Sequence, residues 1–343
     1  MQKTISYKLK NLLSKNETYL ALVIIIFSIV VTVINPTFFT LQNFFDLLHN
    51  TSADAILAIG FSVALISGGL DVSFPAIAII GQYLAVNALI SLHVSNLALA
   101  FLISCGVGIA LGAVNAFFVS VFKINTLIVT LGTSSLFHGA MLEFIGTKAV
   151  NVGQMPQCFT DFGLKKVFTL HTASGTPYGL SMFAVVLLIV VLVTWFIMRH
   201  TLLGRIIYAM GGNFEAVRRS GVNVKGVQFF IYCYVGLLSG VMGVMAASLI
   251  RYSNPTYIVD TKLLPVIAAV VLGGASITGG AGSITGTLLG TALIAILNQN
   301  LVLMGLSSYW QQFFVGLMLV AGVTITHVQR RIRSVRQLGY LQP

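Results

Sequence analysis

Long apolar stretches alternate with short polar ones along the whole chain, and the apolar stretches have the length of membrane-spanning helices, roughly 17 to 25 residues. Ten of them run approximately over Tyr19 to Ile34, Ala53 to Ser67, Pro75 to Leu92, Leu97 to Phe122, Thr126 to Ile145, Gly179 to Met198, Val227 to Ile250, Leu263 to Ile277, Ile284 to Met304 and Tyr309 to Thr326. The second and eighth are short and each reaches a glycine pair, Gly68-Gly69 and Gly273-Gly274, which predicts a broken or re-entrant segment there. The pattern predicts an all-α polytopic membrane protein of about ten spans.

Composition agrees. Of 343 residues, 57% are hydrophobic and 8% charged, and the mean hydropathy is +0.96, where a soluble protein carries roughly 25% charged residues. Soluble, secreted and disordered classes are excluded. The net charge of +11 does not point to nucleic acid, because the basic residues sit in short clusters between apolar runs instead of forming one face. With the N-terminus inside, Lys3, Lys8, Lys10, Lys15, Lys123, Arg199, Arg205, Arg218, Arg219, Lys225, Arg330, Arg331, Arg333 and Arg336 face the cytoplasm. Lys148, Lys165, Lys166, Arg251 and Lys262 then lie outside, a split that obeys the positive-inside rule. Both termini are expected to be cytoplasmic.

The chain reads as a single transmembrane domain, 1–343, with a cytoplasmic N-terminal segment at 1–18, an outer connection at 146–178, an inner loop at 199–226 and a cytoplasmic tail at 327–343. The outer connection, with Pro156, Asp161 and Pro177, has the look of an ordered cap or short hairpin. No small-residue cleavage site follows the basic N-terminus, so the first span is expected to stay uncleaved. Cys105, Cys158 and Cys233 are too scattered for a disulfide framework or a metal site.

Helix association in lipid relies on small residues that let backbones approach. Gly108-xxx-Gly112, Gly236-xxx-Gly240 and Gly282-xxx-Gly286-xxx-Gly290 are such patterns, and packing accounts for most of the glycines. An internal echo joins Gly60 to Ser73 with Val266 to Gly280: an apolar run, a glycine pair, then a short polar stretch that opens the next span. A repeat at that offset would be parallel.

The inner loop Leu202 to Gly226 is the most informative stretch. Gly211-Gly212 allows a sharp entry, Asn213 is a good N-cap, Glu215 falls in a first turn, Arg218 and Arg219 fall in a last turn, and Gly221 stands at C′. The spacing predicts a two-turn helix between two glycine breaks. It is far shorter than the about 12 to 15 residues an isolated helix needs, so flanking spans or a partner must hold it. A docking peg and a merely solvated basic loop both fit.

The string GRIIYAMGGNFEAVRRSGVNV resembles the G-x-x-x-Y/F-A-x-G-x-N-x-x-A-A-x-x-S-G-I signature of permease subunits in bacterial ATP-binding cassette importers for simple sugars, the ribose, xylose and autoinducer-2 type. PTFFTLQNF, GGLDVS, INTLIVTLGT and VIAAVVLGGASITGGAGSITGTLLG match further motifs of that family in order, over roughly residues 36 to 325. The chain departs from the family at Phe74-Pro75-Ala76, where V-G-S is usual, and at His138, where Arg is usual. The resemblance implies a multi-pass permease of the bacterial inner membrane, set in lipid and paired with a second permease copy or paralogue. It implies two cytosolic ATPase subunits docked through Gly204, Arg205, Ala209, Gly211, Asn213, Glu215, Ala216, Arg218, Arg219, Ser220 and Gly221, and a periplasmic sugar-binding protein that delivers the solute.

The sequence contains no G-x-x-x-x-G-K-[ST] phosphate cradle, so no catalytic residue and no cofactor is expected in this chain; ATP and Mg belong to the partner ATPase. Candidate groups along a substrate pathway are Asp71, Ser73, Asp54, His138 and Asn298, since polar groups at bilayer depth are costly. Asp71 and Ser73 read equally as a cap for the helix that opens at Pro75, and His138, Asp54 and Asn298 as hydrogen-bonding glue between helices. Glu143 is expected near the outer water interface. Asn254, Tyr257 and Asp260 in the outer loop could meet the binding protein, while the aromatic belt explains Tyr257 without a ligand. An ion-coupled secondary transporter remains the alternative function, and a membrane-embedded enzyme is disfavoured for want of paired catalytic groups.

Overall fold

The computed structural model describes residues 16–172, 175–255, 257–303, 307 and 309–339; Lys3, Lys8, Lys10 and Lys15 lie outside them. Among the described residues the fold is a helical bundle. In chain order it comprises α1 (Asn16–Ile34), α2 (Leu41–Ile66), α3 (Phe74–Leu92), α4 (Leu97–Val121), α5 (Thr126–Phe144), a short α6 (Gln157–Leu164), α7 (Met182–His200), α8 (Leu202–Gly212), α9 (Phe214–Arg219), α10 (Val224–Ile250), α11 (Tyr257–Leu272), α12 (Ile284–Leu303) and α13 (Tyr309–Gly339). Eight of these, α1 to α5, α7, α10 and α12, are long and apolar enough to cross a membrane. The only strands among the described residues are β1 (Leu170–His171) and β2 (Pro177–Tyr178), an antiparallel pair between α6 and α7.

Side-chain caps set most helix starts. Asn96 accepts from Ala98 N at 2.9 Å, Asn125 from Leu127 N at 3.0 Å, Ser181 from Phe183 N at 3.1 Å and Asn223 from Gly226 N at 3.1 Å. Thr40 does the same for α2 through Asn43 N at 3.2 Å, and this corrects the expected start of the second span. The helix begins at Leu41 instead of Ala53, because Gln42, Asn43, Asp46 and His49 interrupt the apolar run without interrupting the backbone ladder. At 26 residues it spans about 39 Å and forms the centre of the bundle, with Ile56, Leu57, Ile59, Phe61 and Leu65 fully buried. The eighth apolar stretch is also redrawn: its helix stops at Leu272, short of Ile277.

Glycine lets the helices meet backbone to backbone. A Cβ on Gly108 would come 2.1 Å from the Gly236 carbonyl oxygen, and one on Gly236 would come 2.0 Å from that of Gly108. A Cβ on Gly112 would come 2.3 Å from the Tyr232 carbonyl oxygen and one on Gly240 2.5 Å from that of Ser104, so α4 and α10 cross through interlocked glycine pairs. The pair α11 and α12 repeats the device: Gly286 meets the Gly273 carbonyl and Gly290 that of Ala269. Gly282, expected in the same helix-packing pattern, lies instead in the loop before α12 against Ile66.

At one end of the bundle Val150 and Ser253 exchange backbone hydrogen bonds of 2.8 and 3.0 Å. Gln82 donates to the Ser253 hydroxyl at 3.2 Å, and the Tyr83 hydroxyl donates to the Lys148 carbonyl at 2.9 Å. These bonds tie the 146–178 connection down over α3 and α10. The opposite end carries α8, α9 and two helix breaks.

Candidate functional site

α2 and α11 end alike. Gly68 N donates to the Leu65 carbonyl at 3.0 Å and Gly69 N to the Ala64 carbonyl at 3.1 Å; Gly274 N donates to Val271 at 3.0 Å and Ala275 N to Val270 at 3.2 Å. Gly68 has φ 88° and Gly274 φ 90°, so each helix closes in a Schellman cap that needs a left-handed residue. The sequence echo is thus a matched pair of breaks, and the two breaks touch: Gly280 N, in the loop after the second, donates to the Ile66 carbonyl at 2.8 Å.

The segment between α7 and α10 is built onto this junction. Thr201 caps α8 by accepting from Gly204 N at 3.2 Å, and the turn is so tight that a Cβ on Gly204 would lie 2.4 Å from the Ile197 and Met198 carbonyls. Asn213 serves two helices. Its N–H donates to Ala209 O at 2.9 Å, closing α8, and its side chain accepts from Ala216 N at 3.0 Å, opening α9. Glu215 sits in the first turn of α9, Arg218 and Arg219 in the last, and Gly221 follows with φ 82°. The short helix therefore forms where its caps place it. The polar reading missed α8, because Gly211 and Gly212 are its last residues and not a free entry.

Two kinds of residue result. Arg205, Ala209, Asn213, Glu215, Ala216, Arg218, Arg219 and Ser220 face outward, with Glu215 and Arg218 paired at 3.0 Å. Gly204 and Gly211 face inward as close-approach positions. α8 is further tied to the second break by Tyr208, whose hydroxyl donates to the Gly282 carbonyl at 2.9 Å. Burial, then the nearby Glu17 carboxylate, push the Tyr208 phenol above its usual range. Glu17, at the start of α1, accepts from the Ser283 hydroxyl at 2.5 Å. Nothing in the sequence pattern signalled these two contacts.

A cavity of about 990 Å³ opens beside this segment. Ser67 to Leu70 and Thr278 from the breaks form part of its wall, and Phe214, Glu215 and Arg218 of α9 form another, with Lys123, Asn125 and Lys225 at further points.

The proposed pathway residues fall in three places. Asp71 and Ser73 lie just after the first break, 1% and 0% exposed. Asp71 accepts from Ser73 N at 2.8 Å and from the Ser73 hydroxyl at 2.7 Å. Ser73 occupies the cap position of α3 without a side-chain cap bond, so the capping expectation is corrected: Asp71 fixes the turn and Ser73 passes the network on, accepting from Asn115 Nδ2 at 2.7 Å. Thr130 of α5 adds to it, donating to Leu70 O at 3.2 Å and accepting from Val72 N at 3.1 Å, while Asp71 Oδ2 and Asn115 Oδ1 stay buried without a partner among the described residues. Asn115 was not singled out from sequence, and Thr130 was visible only as part of the INTLIVTLGT motif.

Asp54 and Asn298 meet elsewhere, around a cavity of about 60 Å³ between α2, α11 and α12. Lys262, expected in an outer loop, reaches Asp54 at 2.9 Å. His138 stands apart, its Nε2 at 3.0 Å from the Pro255 carbonyl. Glu143 is exposed. Asn254 donates to the Tyr252 hydroxyl at 3.1 Å; the side chains of Tyr257 and Asp260 lie outside the described residues, as do those of Arg330, Arg331, Arg333 and Arg336. Among the described residues no group of His, Cys, Asp or Glu could hold a metal ion.

A family described as branched-chain amino acid transport system / permease component matches residues 43–323. The ribose import permease protein RbsC of Escherichia coli K12 is 32% identical over 325 residues, covering 93% of this chain and 95% of the relative. The autoinducer 2 import system permease protein LsrD of Photorhabdus temperata is 33% identical, covering 84% and 83%. The probable ABC transporter permease protein YphD of Escherichia coli K12 is 31% identical, covering 96% of both. No solved structure matches significantly.

Proposed function

The chain belongs to the branched-chain amino acid transport system / permease component family and is a multi-pass protein of the bacterial inner membrane, and from that footing we propose that it carries a small, uncharged polyhydroxylated solute such as a pentose across it. The relatives that support this reading are named for ribose and autoinducer 2. A separate cytosolic ATPase drives the step, and a periplasmic binding protein delivers the solute to a dimer of permeases. α11 and α13 complete the membrane spans to ten, and both termini are cytoplasmic. ATP and Mg remain with the ATPase.

One observation carries the proposal: α9 is capped at both ends, has six residues, and presents Glu215, Arg218, Arg219 and Ser220 outward from a junction that seats both helix breaks. A segment too short to persist alone is held rigid at the surface, which is what a lever driven by another subunit requires. An ion-coupled transporter would use carboxylates at bilayer depth; Asp54 is instead engaged in an ion pair, while Asp71 holds a local turn through Oδ1 and keeps a buried Oδ2 that is unpartnered among the described residues.

The test is co-purification. Glu215→Lys combined with Arg219→Glu is expected to strip the ATPase from the complex while the permease still inserts into the membrane. Unchanged complex yield refutes the docking role.

A further inference from the structure

We infer that Gly211 is a positioning residue for energy coupling: the end of α8 is where displacement of α9 reaches both helix breaks, and it does so through backbone that must lack a side chain. This rests on the reading of α9 as the ATPase dock.

The geometry is specific. The hydrogen bond from Gly280 N to the Ile66 carbonyl, 2.8 Å long, joins the loop of the second break to the last residue of α2. Gly211 sits against that bond, so that a Cβ there would lie 1.9 Å from Ile66 O and 2.3 Å from Gly280 N. Gly279 closes the junction from the other side: its Cβ would stand 2.7 Å from Gly68 Cα and 2.9 Å from Gly211 Cα. Gly279 and Gly280 have φ of 82° and 75°, a backbone open to glycine at no steric cost. Three chain segments thus cross at one point.

Rigid connection runs from α9 to that point. Asn213 is shared by α8 and α9 through bonds of 2.9 and 3.0 Å, so α9 cannot swing without moving the end of α8. Tyr208, one turn earlier, keys α8 to Gly282 at 2.9 Å. Pulling on α9 therefore moves Ile66, Gly68 and the Gly279 to Gly282 loop together, and Gly68 and Thr278 are parts of the cavity wall. Gly212, the neighbouring residue, has nothing within 4 Å of its would-be Cβ and supplies a control on the same helix.

The experiment uses the full-length permease purified with its ATPase, the native cysteines replaced by serine and a reporter introduced as Ile277→Cys, an exposed position on the cavity. The rate of maleimide labelling is measured without nucleotide and after trapping with ATP and vanadate. The rate is expected to change at least threefold on trapping in the parent and in Gly212→Ala. Gly211→Ala is expected to retain the ATPase and hydrolyse ATP, yet show less than a third of that response. Tyr208→Phe, which removes one hydrogen bond and only the hydroxyl's small volume, is expected to cut the response by about half with normal assembly. A full response in Gly211→Ala, or in Tyr208→Phe should the Gly211→Ala permease fail to fold, overturns the inference. Loss of the ATPase from Gly211→Ala alone also overturns it, by making Gly211 part of the docking surface. Absence of the ATPase from the parent complex refutes the docking reading instead.

Discussion

After Ile66 the chain turns on Gly68 and is then pinned by side chains: Asp71, Ser73, Asn115 and Thr130 form a buried network around Leu70 to Ser73. After Leu272 it turns on Gly274 with the same cap, but Gly279, Gly280 and Gly282 carry the path to α12 at positive φ, and Ser276 bonds within its own turn, to the Thr278 hydroxyl and from Thr278 N. The first break is fastened by buried side chains of α4 and α5; the second is seated closely against Ile66, Gly68 and Gly211, with Gly280 N on the Ile66 carbonyl and Tyr208 on the Gly282 carbonyl. The same cap can thus be followed by a segment pinned through its own side chains or by one seated mainly through its backbone.

The comparison predicts an order of sensitivity, read as thermal midpoints of the detergent-solubilised protein. Gly279→Ala should be the most damaging, by on the order of 3 kcal/mol or more, because the new Cβ meets only backbone and the residue keeps a positive φ. Asp71→Leu should come next at about 2 kcal/mol, since it leaves the buried Ser73 N without its acceptor. Asp71→Asn keeps that acceptor and should retain transport; failure of both variants would instead point to a pathway role for the carboxylate. Thr130→Val should cost about 1 kcal/mol by cutting two bonds to the first break. Ser276→Ala, in the second break, removes the acceptor of Thr278 N, but Thr278 is exposed and water can replace it, so the cost should be about 0.5 kcal/mol. If Ser276→Ala equals Asp71→Leu, the contrast between the breaks is wrong.

Much of this architecture was written in local sequence signals. The cap at Asn213 and the left-handed Gly221 follow from residue type at fixed offsets, and the glycine pairs of α4 and α10 announce a crossing by their spacing. The repeat of the two breaks was legible as an echo. What stayed hidden was long-range. α2 begins at Leu41 because Thr40 caps it there and nothing from Leu41 to Ser52 breaks the backbone ladder, although residues 41–51 are exposed or half-buried and so give no apolar run to read. Gly211 as a seat, Tyr208 on Gly282, and Lys262 beside Asp54 depend on which elements meet, and no spacing in one segment encodes that. Of the residues offered for a pathway, the structure unites Asp71 with Ser73 and Asp54 with Asn298, and leaves His138 bound to the Pro255 carbonyl.

Energy coupling of the kind proposed requires α9 to lie where an ATPase can grip it. The most direct measurement is labelling of a single cysteine at Ser220→Cys, exposed at the end of α9, with a membrane-impermeant maleimide. Labelling in inside-out vesicles, blocked when the ATPase is bound, and none in intact spheroplasts, is the predicted result; labelling from the periplasmic side would contradict it.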